Sequence, residues 1–107
     1  MSRLTGVQNI ELKLKSLGLD YQKEYLPIFG HLFRSDFYVE SMNLLIEFEG
    51  IVSNKSRHTS ILGYSKDCEK YNLFSLAGYK LLRYTAITIP NLIDDLNKLA
   101  INKVEKR

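Results

Sequence analysis

The sequence predicts an α/β (α+β) fold with a mixed four-stranded sheet flanked by helices and a further helix at the C-terminus. Apolar residues recur at helical spacing near both ends and again in the middle of the chain, and short strand-like runs lie between these segments. Three strands joined by short turns, then a crossover helix and a fourth strand, require a mixed sheet. The length of 107 residues predicts a single domain over residues 1–107 with one core.

The first half of the chain predicts one helix and three strands. A capping box of Thr5 and Gln8 and a stop at Gly18 predict a helix over residues 5–17. Strands are then predicted over residues 21–29, 32–39 and 44–49. Pro27 favours an edge position or a bulge for the first strand because proline has no N–H to pair. A tight turn at residues 30–31 is expected to join the first two strands.

The second half begins with a polar loop over residues 50–62. A helix is predicted over residues 63–77, where Tyr64, Cys68, Tyr71 and Phe74 recur at helical spacing. A strand over residues 79–85 follows, and Pro90 opens the final helix. The element order is therefore α-β-β-β-α-β-α.

The composition indicates which partners and which cellular compartment to expect. The net charge of +3 permits nucleic acid as a partner without requiring it. Cys68 is the sole cysteine, so no disulfide within the chain is possible and a reducing compartment is expected. No apolar run has the length of a membrane span and no signal peptide is evident. We therefore expect a cytoplasmic protein with no membrane partner, in the host cytoplasm if it is phage-encoded.

Three acidic residues on the predicted second and third strands suggest a metal site. Asp36 and Glu47 come side by side if these strands form an antiparallel hairpin, and Glu49 shares a face with Glu47 because strand residues alternate. Buried carboxylates repel one another unless a cation binds between them. Carboxylates, waters and phosphate oxygens are ligands that Mg²⁺ prefers, with Mn²⁺ as the alternative. The competing interpretation is a solvated sheet face on which the acids pair with Lys or Arg.

A further acid, Glu11, lies within the apolar stripe of the first helix. An acid on a core-facing stripe needs a partner or an ion, so Glu11 is a predicted metal ligand. It can equally reach solvent or pair with Lys15 at i+4. Glu24 on the first strand is a rival for the same role.

Basic residues follow the acids along the chain. Lys70 is predicted to stabilise charge at a scissile phosphate, and His58 to act as a general base or to contact phosphate. Taken alone, each has a simpler interpretation: Lys70 as a surface partner of Asp67, and His58 as an ordinary loop histidine. The predicted nucleic-acid contacts on the loop are Lys55 and Arg57.

The segments FRSDFYVESMNLLIEFEG and SRHTSILGYSKDCEKYNLFSLAGYKLLRYT resemble the PD-(D/E)XK nuclease superfamily. More closely, they are similar to small phage and bacterial nucleases of the very-short-patch-repair (Vsr-like) and VRR-type branch. In that branch "DF", "IExxG", "RH", "DxxKyn" and "GyxxLRyt" segments follow one another at similar spacing. The similarity covers residues 33–85, which is most of the predicted core. Asn72 matches a position of this branch, and the resemblance makes it a further expected nucleic-acid contact.

The resemblance implies an αβββαβ restriction-endonuclease-like core and a Mg²⁺-dependent DNA endonuclease that hydrolyses phosphodiester bonds. It assigns Asp36 and Glu47 as metal ligands, with Glu11 matching an acid found on the first helix. Glu49 occupies the position where the superfamily usually has lysine. Lys70 is the expected substitute, and without a substitute the protein would bind nucleic acid without cutting it.

DNA is the expected partner, but the chain is too short to carry a separate recognition domain. Recognition of DNA shape, a homodimer or a recruiting partner protein are the alternatives. A homodimer would suit branched or four-way-junction DNA, because two symmetry-related sites can cut two strands.

Overall fold

The computed structural model describes residues 4–50 and 60–105 and has the predicted element order. Its helices and strands are α1 (Gly6–Ser16), β1 (Gln22–Tyr25), β2 (Ser35–Val39), β3 (Leu44–Phe48), α2 (Ile61–Leu76), β4 (Lys80–Tyr84) and α3 (Leu92–Glu105). Short 3-10 turns precede β3 and α3. The predicted capping box is present at α1, where the Thr5 hydroxyl accepts a hydrogen bond from the Gln8 N–H at 3.0 Å.

The four strands form one mixed sheet in the order β1-β2-β3-β4. β1 pairs with β2, and β2 with β3, in antiparallel fashion, whereas β3 and β4 are parallel. The parallel pair needs a crossover, which α2 supplies. The predicted α+β class and mixed sheet are therefore confirmed. Among the described residues, none of the helices is both long and apolar enough to cross a membrane.

The predicted bounds of the first two strands were wrong. β1 ends at Tyr25 and β2 begins at Ser35, so residues 26–34 form a loop instead of extending both strands around a tight turn. Pro27 has no N–H for a strand ladder, and Gly30 has a φ of 82°, which reverses the chain. α2 also begins earlier than predicted, at Ile61, because the Ser60 hydroxyl caps it by accepting a hydrogen bond from Gly63.

The core lies on one face of the sheet. α1 and α3 pack there against β2, β3 and β4, and the buried side chains include Ile10, Leu14, Phe37, Val39, Leu44, Ile46, Tyr84, Ile89, Leu92 and Leu96. α2 covers the other face, where Leu45 and Phe74 are fully buried. Because strand residues alternate, the face with α2 also receives the acidic side chains of β2 and β3.

Candidate active site

Asp36 and Glu47 are neighbours across β2 and β3. The antiparallel register pairs Phe37 with Ile46, so the preceding residue of β2 and the following residue of β3 come side by side on the α2 face. Both acids line an open pocket of about 620 Å³, together with Glu49 and Lys70. The structure therefore brings together the acids and the lysine that were predicted to act as one site.

Glu47 is a buried carboxylate with one oxygen paired. Its side chain is 8 % exposed, and Lys70 donates a hydrogen bond to Oε1 at 2.8 Å. Burial raises the pKa of Glu47, and the hydrogen bond from Lys70 opposes that rise. Within residues 4–50 and 60–105, Oε2 is buried and has no hydrogen-bond partner. An ionised Glu47 thus has an uncompensated oxygen, which costs free energy unless a cation or a donor reaches it.

Asp36 is held in place by the backbone of the neighbouring strand. Its Oδ2 accepts a hydrogen bond from the Phe48 N–H at 2.8 Å. That N–H belongs to the last residue of β3, directly after Glu47. The bond fixes the orientation of the Asp36 carboxylate beside the pocket. The position of the second carboxylate oxygen is therefore fixed as well.

Glu49 holds an arginine and a tyrosine. Tyr71 donates its hydroxyl to Glu49 Oε2 at 2.9 Å, and Arg83 Nε donates to the same oxygen at 3.2 Å. The Arg83 guanidinium also lies 4.0 Å from the centroid of the Tyr71 ring, a cation–π distance. Glu49 is only 9 % exposed, whereas Arg83 is 41 % exposed. Glu49 therefore anchors Arg83 with its guanidinium partly open to solvent.

Arg83 is a functional candidate that sequence reasoning did not single out. The parallel register of β3 and β4 pairs it with Glu47, and alternation along β4 places it on the α2 face. Burial lowers the pKa of Arg83, but the hydrogen bond that its Nε donates to Glu49, together with the nearby negative charges, raises the pKa overall. The alternation of residues along β4 is the sequence signal that could have identified Arg83. The acid that Arg83 contacts is known only from the register of β3 and β4.

Glu11 lies away from this pocket. It accepts hydrogen bonds from Tyr21 Oη at 2.6 Å and Lys23 Nζ at 3.2 Å. Lys23 pairs with Phe37 across the strands, so this cluster belongs to the core face, and the structure does not bring Glu11 to Asp36. The rival acid Glu24 pairs instead with Arg34 at 3.3 Å on an exposed surface.

Four predicted residues remain, and the structure describes one of them. Lys55, Arg57 and His58 lie outside the described residues. Asn72 is exposed on α2, and the pocket lining does not include it. Across the described ranges, no group of three or more His, Cys, Asp or Glu side chains is arranged to hold a metal ion. Within the described part of the chain, Asp36 and Glu47 are the two acids that lie side by side across β2 and β3 at this pocket.

Comparison with known proteins gives one informative match. No family model matches the sequence, and no curated protein matches it. Among solved structures, the fold is similar to that of the catalytic domain of the homing endonuclease I-Bth0305I, with a TM-score of 0.65 and 20 % sequence identity. The match covers 94 % of this chain and 93 % of that domain. The chain therefore shares the fold of that domain.

Proposed function

We propose that this protein is a metal-dependent DNA endonuclease that hydrolyses phosphodiester bonds. The observation that carries the proposal is the pairing of Asp36 with a buried Glu47 that has an unpartnered oxygen, in a pocket that also holds Lys70. The fold is shared with a homing endonuclease catalytic domain, which supports nuclease chemistry on this scaffold. A cytoplasmic location is part of the proposal and suits the free thiol of Cys68.

The donor set suits a hard divalent cation. Asp36 and Glu47 would hold Mg²⁺ or Mn²⁺, and a main-chain carbonyl such as that of Phe48, waters and substrate phosphate would complete its ligands. Such an ion would satisfy the buried Glu47 Oε2 and relieve the repulsion between the two carboxylates. When bound, it supplies positive charge at the scissile phosphate and lowers the pKa of a water nucleophile.

Lys70 takes the place of the missing strand lysine. Glu49 stands where the PD-(D/E)XK pattern usually has lysine, but Lys70 brings its ammonium from α2 to 2.8 Å from Glu47 Oε1. The Lys70 ammonium offsets the charge of the buried Glu47 carboxylate. It also lines the pocket, where it would stabilise the negative charge that develops on a phosphate during hydrolysis. This arrangement supports a PD-(D/E)XK-type site, of the Vsr-like and VRR-type branch, with its lysine relocated to the helix.

Arg83 and the acids have separate tasks in this proposal. Asp36 is oriented by the Phe48 N–H, so it meets an incoming ion without having to reorganise. Arg83 is anchored through Nε by Glu49, which leaves its terminal nitrogens to contact a DNA phosphate. Glu49 is thus a positioning residue in this protein, acting through Arg83.

A second function is favoured by one specific feature of the site. Lys70 is already paired with Glu47, and Arg83 with Glu49. Both cations therefore form ion pairs with acids of the protein itself. A catalytically degenerate protein that binds nucleic acid without cutting it would show the same pairing. The two functions differ in whether Asp36 and Glu47 Oε2 would hold a metal ion while Lys70 remains on Oε1.

The proposal is tested by incubating the protein with linear, single-stranded, flapped and four-way-junction DNA, in Mg²⁺, Mn²⁺ or EDTA. We expect cleavage that requires the metal ion, with branched DNA preferred if the protein acts as a homodimer. No cleavage of any DNA in either metal, with binding retained in EDTA, would refute the enzyme and establish the degenerate binding protein.

Two variants serve as controls for this assay. The double variant Asp36→Ala, Glu47→Ala removes the proposed ligands and should abolish cleavage, which also excludes a contaminating nuclease. Lys98→Ala changes an exposed lysine of α3 whose partner is Asp94, so its cleavage rate should equal that of the wild type. Equal activity in the double variant would show that the cleavage does not arise from this pocket.

A further inference from the structure

Tyr71 lies between the two cations of the candidate active site. The centroid of its ring is 4.0 Å from the Arg83 guanidinium and 5.5 Å from the Lys70 ammonium. Both distances are within the range of cation–π attraction. Lys70 is on α2 and Arg83 is on β4. One ring therefore contacts two cations that the fold brings together from separate elements.

The Tyr71 side chain is itself held in a fixed position. Its ring packs edge-to-face on Phe74, with centroids 6.2 Å apart, and Phe74 is fully buried. Its hydroxyl donates a hydrogen bond to Glu49 Oε2 at 2.9 Å. Burial and the negative charge of Glu47 raise the pKa of Tyr71, so the hydroxyl stays protonated and remains a donor. The ring and the hydroxyl are thus both anchored.

The contact with the ring restrains both cations without using their hydrogen-bond donors. Attraction to a ring face involves the π electrons and takes no N–H group from the cation. Arg83 donates through Nε to Glu49, and Lys70 donates one N–H to Glu47. Their other N–H groups are donors that suit a phosphate oxygen. Because a restrained side chain loses less conformational entropy on binding, the ring favours such a contact.

The two cations lie at different depths. Lys70 lines the pocket and is 17 % exposed, whereas Arg83 is 41 % exposed. Glu49 also lines the pocket and accepts the hydrogen bond from Arg83, so Arg83 lies at the pocket edge. A strand with one phosphate at Lys70 would therefore pass Arg83 with another phosphate.

We infer that Tyr71 is a positioning residue that holds Lys70 and Arg83 so that both contact the phosphate backbone of one bound nucleic-acid strand. The inference rests on the proposed function and deepens it, because it names the backbone as the part of the substrate bound on this side of the pocket. Phosphate contacts fix the position of a nucleic acid without reading its sequence. The binding that Tyr71 supports should therefore be independent of base sequence.

The alternative is that Tyr71 only supports packing on Phe74. Removing the ring would then lower the stability of the protein. It would leave unchanged the dependence of DNA affinity on salt, because that dependence reports how many phosphates the protein neutralises. A neutral substitution that changes the salt dependence of a folded variant therefore distinguishes positioning from packing.

The test measures binding of a fluorescein-labelled linear duplex in EDTA by fluorescence anisotropy over a salt series. Tyr71→Leu removes the ring but no charge. It should weaken binding about tenfold and reduce the slope of log affinity against log salt by about one. Tyr71→Phe keeps the ring and should keep the slope. Tyr64→Leu is the matched control, since Tyr64 is a tyrosine of α2 that is 57 % exposed, and it should bind as the wild type does.

A double-mutant cycle shows whether Tyr71 acts through the cations. Residues that act as one unit have non-additive effects. The loss of affinity caused by Tyr71→Leu should therefore be smaller in an Arg83→Ala background than in the wild type. Melting temperatures in the binding buffer identify the variants that are folded at the assay temperature.

Each outcome decides the inference. A folded Tyr71→Leu variant with the wild-type slope, or a loss of affinity that is equal in the two backgrounds, would overturn the positioning role. Metal-dependent cleavage by the wild type would then leave the proposed function intact. If Tyr71→Leu does not fold, NMR of the wild type decides: the ring-current shift of the Arg83 side-chain protons should persist on DNA binding, and its loss would overturn the inference. A wild type that neither binds nor cleaves DNA would overturn the inference and the proposed function together.

Discussion

Replacing Lys70 with methionine removes the only cation that the described residues place within hydrogen-bond distance of Glu47. Methionine keeps an unbranched apolar chain near the Tyr71 and Phe74 rings, which lie 5.5 and 5.7 Å from Lys70 Nζ. The variant therefore tests the charge with little change in packing.

The cost follows from the burial of the pair. Removing one partner of a buried ion pair costs 3–5 kcal/mol, and because Lys70 is still 17 % exposed we expect the lower end, about 3 kcal/mol. For a domain of this size the melting temperature should fall by roughly 15 °C. Unfolding in urea, followed by far-UV circular dichroism in EDTA, measures the loss directly.

The loss should depend on pH in a defined direction. Burial raises the pKa of Glu47 above its ordinary value of 4.5, and Lys70 opposes that rise. Without Lys70 the pKa rises further, so Glu47 becomes protonated at a higher pH. A carboxyl with a raised pKa carries no penalty below its ordinary value; the penalty grows as the pH rises from that value to the folded-state pKa and is constant above it. The variant should therefore lose more stability near pH 8 than near pH 5.

Two comparisons make this prediction refutable. Lys98→Met breaks an exposed i, i+4 pair with Asp94 and should cost less than about 0.5 kcal/mol. The double variant Lys70→Met, Glu47→Gln leaves no buried charge and should recover most of the loss. The reasoning fails if Lys70→Met costs no more than Lys98→Met, or if the double variant is as unstable as the single one.

Three further predictions concern other parts of the molecule. Gly6→Ala should destabilise the protein by about 2 kcal/mol, because its Cβ would overlap the Phe48 ring; thermal unfolding measures this, and an unchanged melting temperature would contradict it. Arg83→Ala should weaken DNA binding and reduce the slope of log affinity against log salt by about one, whereas Arg83→Lys should keep the slope; fluorescence anisotropy over a salt series distinguishes them. The Tyr21 hydroxyl lowers the pKa of Glu11 below 4.5, which stabilises the fold above that pH and is lost as the pH falls through the folded-state value. The stability advantage of the wild type over Tyr21→Phe should therefore shrink in acid, and an advantage that stays constant would count against this hydrogen bond.

The element order could be predicted because local signals agree with the tertiary structure. The capping box at Thr5 and Gln8 forms as expected, and the strand predicted over residues 79–85 is Lys80–Tyr84. The loop at residues 26–34 was misread as strand because sequence patterns treat apolar residues as buried. Phe29 and Leu32 are exposed, so these two apolar side chains are not part of the core of this chain.

The part of the site that could be predicted is the part that follows from the alternation of residues along a strand. Alternation and a hairpin suffice to place Asp36 beside Glu47. The contact of Arg83 with Glu49 depends on the parallel register of β3 and β4, which no local pattern specifies. For Glu11, the apolar stripe identifies the inner side of a helix but does not indicate which face of the sheet that helix covers. The roles of Lys55, Arg57 and His58 remain predictions.

The proposed function requires that Asp36 and Glu47 together hold one divalent cation. Calorimetric titration of the purified protein with Mn²⁺, beside the variant Asp36→Asn, tests it most directly. Asn keeps the size of Asp36 but removes its charge, so binding of one ion by the wild type should be lost or greatly weakened in the variant. Equal binding by both proteins, or no binding by the wild type, would contradict the account.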